Sequence, residues 1–153
     1  IGTLQRLFTC PEVKALPVWR PAPHPKRAFL TPAEFFQDYR SFAEQEAFLK
    51  ALQKTYPNRI TIKSMGKSLE GRDLWVAHIT GANASNKSIW VNGGQHAREW
   101  LSPAACLALI EWAARNPSAL SRFNLVVAFN INPDGYEHSR LVNRYWRKNK
   151  RRN

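Results

Sequence analysis

Two short runs, "SIWVNGG" and "NLVVAFNIN", bracket an apolar helix pattern, and no other feature constrains the chain as much. Both runs are rich enough in Ile and Val to be buried on two faces, which places them inside a sheet. The helix spans about Glu99 to Arg115. Pro103 is tolerable there only in the first turn, where its missing N–H is no loss. Upstream, "RITIKSMG" and "DLWVAHIT" read as strands joined by "KSLEGR", whose Gly71 suits a hairpin turn. A hairpin followed by strand–helix–strand implies an α/β fold, a mixed β-sheet with packed helices.

Helix starts are legible as well. In "TPAEFF", Thr31, Pro32 and Glu34 form a capping box with proline at the first helical position. "SFAEQEAFLKALQKTYP" repeats it with Ser41 and Glu44. Its Phe48, Ala51, Leu52 and Thr55 fall at helical spacing, and Pro57 ends it. Residues 1–30 hold five of the ten prolines, so they read as an extended arm ahead of a domain over 31–153. Lys26-Arg27 reads there as an ordinary basic pair rather than a processing site. "PDG" at 133–135 reads as a turn into a basic segment, helical or irregular.

With 153 residues and 44% hydrophobic content, the chain can bury one real core. No apolar run reaches the roughly 18 residues of a membrane span. The net charge of +12 is concentrated at the end, where Arg140, Arg144, Arg147, Lys148, Lys150, Arg151 and Arg152 stand with no acid among them. Such a run suits an acidic partner, an RNA backbone or an anionic membrane surface, and equally a solvated helix end. Cys10 and Cys106 leave a bridge unsupported. Asn83 and Asn86 both fit N-x-[ST], which matters only for a secreted protein. The chain begins at Ile1 without a signal-peptide core, as expected of a processed or partial sequence.

His96 and Glu99 emerge where a buried strand ends and a helix begins, the usual place for a site in an α/β sheet. Gly93 and Gly94 let the backbone turn sharply there. A tightening turn brings residues three apart to one side, and imidazole nitrogen and carboxylate oxygen both ligate zinc. Alone, the H-x-x-E spacing is a weak signal that more often marks a capped helix start with a surface histidine. The surroundings separate the two. "GKSLEGRDLW" (66–75), "NGGQHAREW" (92–100) and "NPDGYEHSRLVNRYWRK" (132–148) occur in this order, and together they resemble the zinc metallocarboxypeptidases of the carboxypeptidase A/B type. The resemblance runs from about Phe35 to Lys148 and implies an incomplete carboxypeptidase A-like fold.

The resemblance also implies roles. His96 and Glu99 match two ligands of the His₂Glu zinc site of carboxypeptidase A. Arg147 matches the arginine that polarises the scissile carbonyl, a task suited to a permanently charged fork of donors. Arg98 matches a residue lining outer substrate subsites, and the implied substrate is a peptide C-terminus. Nothing matches the third ligand, the general base or the Asn-Arg clamp on the terminal carboxylate. Asn143-Arg144 precedes "WRK" and is out of register for that clamp. His24, His78 and His138 do not match the ligand position, and His78 reads as a core or face residue of its strand.

Two expectations result. One is part of a larger zinc carboxypeptidase, secreted or vacuolar. The other is a shortened, inactive carboxypeptidase-like subunit in a larger assembly, organellar (mitochondrial) or RNA-containing, with partner chains covering the strand at 88–93. That strand, with Ile89 and Val91 on one face and Trp90 on the other, carries no charge, proline or bulge signal to blunt an edge.

Overall fold

A computed structural model describes residues 31–82 and 87–151. The arm at 1–30, with Cys10, His24 and Lys26-Arg27, lies outside the described residues, as do Asn83 and Asn86. The elements run α1 (Pro32–Phe35), α2 (Phe42–Thr55), β1 (Ile60–Lys67), β2 (Asp73–Ile79), β3 (Ser88–Asn92), α3 (Leu101–Arg115), a 3₁₀ turn (Pro117–Leu120), β4 (Asn124–Ala128) and α4 (Pro133–Leu141). The strands form one mixed sheet in the order β1-β2-β4-β3. β1, β2 and β4 are antiparallel neighbours, whereas β3 runs parallel to β4 after the α3 crossover.

Local chemistry explains the helix starts. Thr31 and Ser41 each accept from the backbone N–H three residues on, and Glu34 and Glu44 reach back to the two cap N–H groups. Both expected capping boxes are formed. Pro103 is the third residue of α3, inside the first turn. Gly71 takes φ +82 in the hairpin, a conformation that costs a residue with a Cβ.

Register lines up two apolar rows across the sheet, Ile60–Ile79–Leu125–Ile89 and Ile62–Ala77–Val127–Val91. α3 lays Leu107, Ile110, Ala113 and Ala114 into the core, and α2 adds Phe42, Phe48, Leu49 and Leu52. Fully burying a Leu or Ile contributes about 1.5–3 kcal/mol, so this interface dominates the domain's stability. His78 sits half-buried on the opposite face, level with Val126 and Trp90.

Three expectations are corrected. β4 is buried almost throughout, but β3 is not: Ile89 is 45% and Trp90 53% exposed. β3 carries buried-strand composition at an edge, and side-chain burial depends on a neighbour, not on composition. "PDG" is no turn, because Pro133 opens α4 with Asn132 as its cap. Thr55 is exposed, while Gln45 is buried on the inner face of α2.

Candidate metal centre

The turn between β3 and α3 is built around two glycines. Gly94 adopts φ +69, and a Cβ on it would stand 2.6 Å from Asn130 Oδ1. At Gly93 a Cβ would meet Cys106 Sγ at 2.6 Å and the Phe129 carbonyl at 2.8 Å. Neither position tolerates a side chain without displacing the helix or the loop after β4. The Gly94 N–H donates to Ser102 Oγ at 3.0 Å, and the Glu99 N–H to the His96 carbonyl at 3.1 Å.

That tight turn puts His96 Nδ1 2.9 and 3.0 Å from the two carboxylate oxygens of Glu99. The third group comes from 51 residues on: Arg147 Nη2 lies 3.3 Å from the same Nδ1. One nitrogen cannot satisfy both neighbours. Protonated, Nδ1 donates to Glu99 but has nothing to offer the guanidinium; unprotonated, it accepts from Arg147 but turns its lone pair on the carboxylate. A cation held by His96 and Glu99 would relieve the clash of the lone pair with the carboxylate and leave the guanidinium free for another acceptor, and nitrogen plus carboxylate oxygen is a donor set zinc accepts. Among the described residues, no group of three His, Cys, Asp or Glu side chains converges, so no third such side chain joins the pair. His138 is elsewhere engaged. Its Nδ1 lies 3.0 Å from Lys150 Nζ and its ring is edge-on to Trp146. Burial, with Lys150 beside it, pushes its pKa down, as suits a neutral acceptor.

Beside Glu99 lies an open cleft of about 520 Å³ lined by Arg98, Glu99, Arg144 and Tyr145. Arg144 stacks over Trp100 at 3.8 Å and donates to the Arg98 carbonyl at 2.9 Å. Arg140 is 6% exposed and paired with Glu137. Arg140 and Arg144 are therefore held by the domain rather than strung along a free tail.

A family model described as zinc carboxypeptidase matches residues 45–153. The chain belongs to the zinc carboxypeptidase family. It is 34% identical over 129 residues to the inactive metallocarboxypeptidase ECM14 of Saccharomyces cerevisiae, covering 77% of this chain and 30% of that protein. To human carboxypeptidase B2 it is 33% identical over 126 residues, with the same two coverages. Carboxypeptidase A of Helicoverpa armigera superposes with a TM-score of 0.71 at 30% identity, over 79% of this chain and 31% of that structure. The chain spans about a third of the length of these relatives. The match bears out the resemblance and the incomplete carboxypeptidase fold.

Several residues that hold the His96–Glu99 turn and the Arg147 segment together carried no expectation from sequence. Asn132 reaches the backbone on both sides of the site. Ser139 Oγ accepts from Trp100 Nε1 at 2.7 Å and lies 2.8 Å from the Ala97 carbonyl, tying α4 under the turn. Asp134 joins α4 to the hairpin loop. A sequence signal existed for the first of these: Asn before Pro with Asp next is a helix start.

Proposed function

We propose that His96 and Glu99 are two of the zinc ligands of a carboxypeptidase, and that Arg147 is its carbonyl-polarising group. The observation that carries this is the convergence of all three on His96 Nδ1 from segments far apart in sequence. Zinc, when bound, supplies Lewis acidity toward the scissile carbonyl and toward water. Glu99 and His96 would hold it, through the negative charge of the one and the lone pair of the other. Arg147, exposed and with its fork of N–H donors, donates to the carbonyl oxygen as charge develops there. Arg98 lines the neighbouring cleft, where it contacts the peptide leading to the C-terminus. Among the described residues, no third His, Cys, Asp or Glu joins the pair to complete the ligand set.

A second reading, an inactive carboxypeptidase-like subunit, is favoured by the 34% identity to a relative named inactive. One measurement addresses both. Dialysed against a mild chelator, the 153-residue chain is expected to lose its zinc, because a missing direct ligand costs more than the roughly 10–100-fold that a lost outer-shell partner costs. Its hydrolysis of a blocked dipeptide is expected not to exceed that of His96→Ala. One zinc retained per chain, or turnover abolished by substituting Glu99, overturns this. For a longer form of the same protein, stoichiometric zinc and turnover favour the enzyme, and their absence the inactive subunit.

The basic segment is proposed as a minor polyanion contact. Among the described residues of this segment, Arg147, Lys148 and Arg151 are the exposed cations, with the Arg147 guanidinium against His96, whereas Arg140, Arg144 and Lys150 are less exposed and held by protein partners. Three phosphate contacts predict a slope of log affinity against log salt near about −2 for single-stranded RNA, rather than the steeper slope of all seven cations. Titration at several salt concentrations checks it, and a slope near about −5 contradicts it.

A further inference from the structure

We propose that Asn132 is a positioning residue that sets the separation between the His96–Glu99 turn and the Arg147 segment. Asn132 is 7% exposed and caps α4. Its Nδ2 donates to the Gln95 carbonyl and to the Lys148 carbonyl, both at 3.2 Å. Gln95 immediately precedes His96, and Lys148 stands immediately after Arg147. Its Oδ1 accepts from the Gly135 N–H at 3.1 Å. Every hydrogen and the oxygen of the amide are therefore used. The partners also fix its orientation, since two carbonyls can face only the NH₂ end.

The geometry makes this amide a brace. It is planar, so moving either segment breaks one bond or strains the other. The two segments touch directly through the Ala97 N–H, which donates to the Arg147 carbonyl at 3.1 Å. Residues 143–151 form no helix or strand, so backbone periodicity does not hold Arg147 in place. Gly135 completes the seat. A Cβ there would stand 2.5 Å from the Lys148 carbonyl and 2.6 Å from both terminal atoms of Asn132. The first turn of α4 is bare where the Arg147 segment docks.

The inference rests on reading His96, Glu99 and Arg147 as one site, and its test needs no zinc. Asn132→Asp keeps the cap acceptor, because Asp caps as well as Asn, but points oxygen at two carbonyls. In amide exchange by NMR on the chain, Asn132→Asp is expected to leave Gly135 protected and to speed Ala97 by about tenfold, the worth of one lost hydrogen bond. The through-space contact between the Arg147 guanidinium and the His96 ring is expected to vanish. Gly135→Ala, with Asn132 intact, is expected to do the same by pushing Lys148 away. Unchanged Ala97 exchange with the Arg147–His96 contact preserved in Asn132→Asp makes Asn132 a helix cap only and overturns the proposal. Equal loss of protection at Gly135 and Ala97 also overturns it. A chain that responds as expected yet binds no metal in any longer form counts against the zinc reading and supports the positioning role independently.

Discussion

Replacing Asp134 with alanine is expected to destabilise the domain by about 3 kcal/mol, enough to lower Tm by roughly 10 °C. The carboxylate is nearly buried, with 5% of its side chain exposed, and accepts from three donors. Ser68 Oγ lies at 2.7 Å, the Glu70 N–H at 3.0 Å and Arg72 Nη1 at 2.6 Å. All three belong to the hairpin loop between β1 and β2, so Asp134 clamps that loop to the start of α4. Removing it leaves the Glu70 N–H without its acceptor and Arg72 with Glu70 as its remaining carboxylate, and bonds to a charged group are the stronger kind. Burial alone would raise the carboxyl's pKa, but the three donors outweigh it and hold it below the ordinary 3.8. A carboxyl depressed in the folded state contributes stability that is complete above its unfolded pKa and is lost as pH falls through the lower folded value. Acid unfolding below about pH 4 should therefore be steeper in the parent than in Asp134→Asn, which keeps an acceptor but cannot titrate. Denaturant melts of the three proteins at pH 7 and pH 3 check both parts. A cost under about 1 kcal/mol for alanine at pH 7 would mean that the clamp is a surface contact.

The clamp also shows which features local sequence could carry. The capping boxes at Thr31 and Ser41 were legible because donor and acceptor lie three residues apart. The His96–Glu99 pair was legible for the same reason, with Gly93 and Gly94 marking the turn that makes it tight. Arg147 needed its motif, because its closeness to His96 is set by tertiary docking. The bonds of Asp134 to Ser68 and of Asn132 to Gln95 span 66 and 37 residues, and no periodicity encodes such distances. The misreading of "PDG" had a physical source. Asn, Pro, Asp and Gly serve turns and helix starts alike, through the same fixed proline φ and the same side-chain acceptor. The residue after the glycine decides between them. Tyr136 continues the helix by packing inward, 1% exposed, with its hydroxyl donating to the Arg40 carbonyl at 2.7 Å. Burial pushes the pKa of that phenol well above its ordinary value, so it stays a donor at every working pH.

β3 failed its expectation of burial for a reason that yields the other large effect. It pairs with β4 on one side, and among the described residues no strand pairs with its other side. In a parallel ladder the N–H groups of alternate residues face one neighbour, leaving the intervening ones directed outward. Alternate amides in Ser88–Asn92 of a purified monomer are therefore expected to exchange nearly as fast as unstructured backbone. Amides of β4, paired on both sides, are expected to exchange orders of magnitude more slowly. The side chains point the same way. Ile89 continues an apolar row that is otherwise buried at Ile60, Ile79 and Leu125, yet it is 45% exposed, and Trp90 on the opposite face is 53% exposed. Nothing in "SIWVN" blunts this edge, although isolated edges are normally protected by charge, proline or a bulge. Polypeptide laid along this edge, whether of the same chain, a second copy or another subunit, is expected to protect it. Exchange measured with and without such a cover tests this, the expected change being protection of the fast amides of β3 while β4 stays as it was. Slow exchange throughout Ile89–Val91 in a demonstrated monomer would mean that the four-stranded sheet closes itself. The case for a missing neighbour would then lose its physical basis.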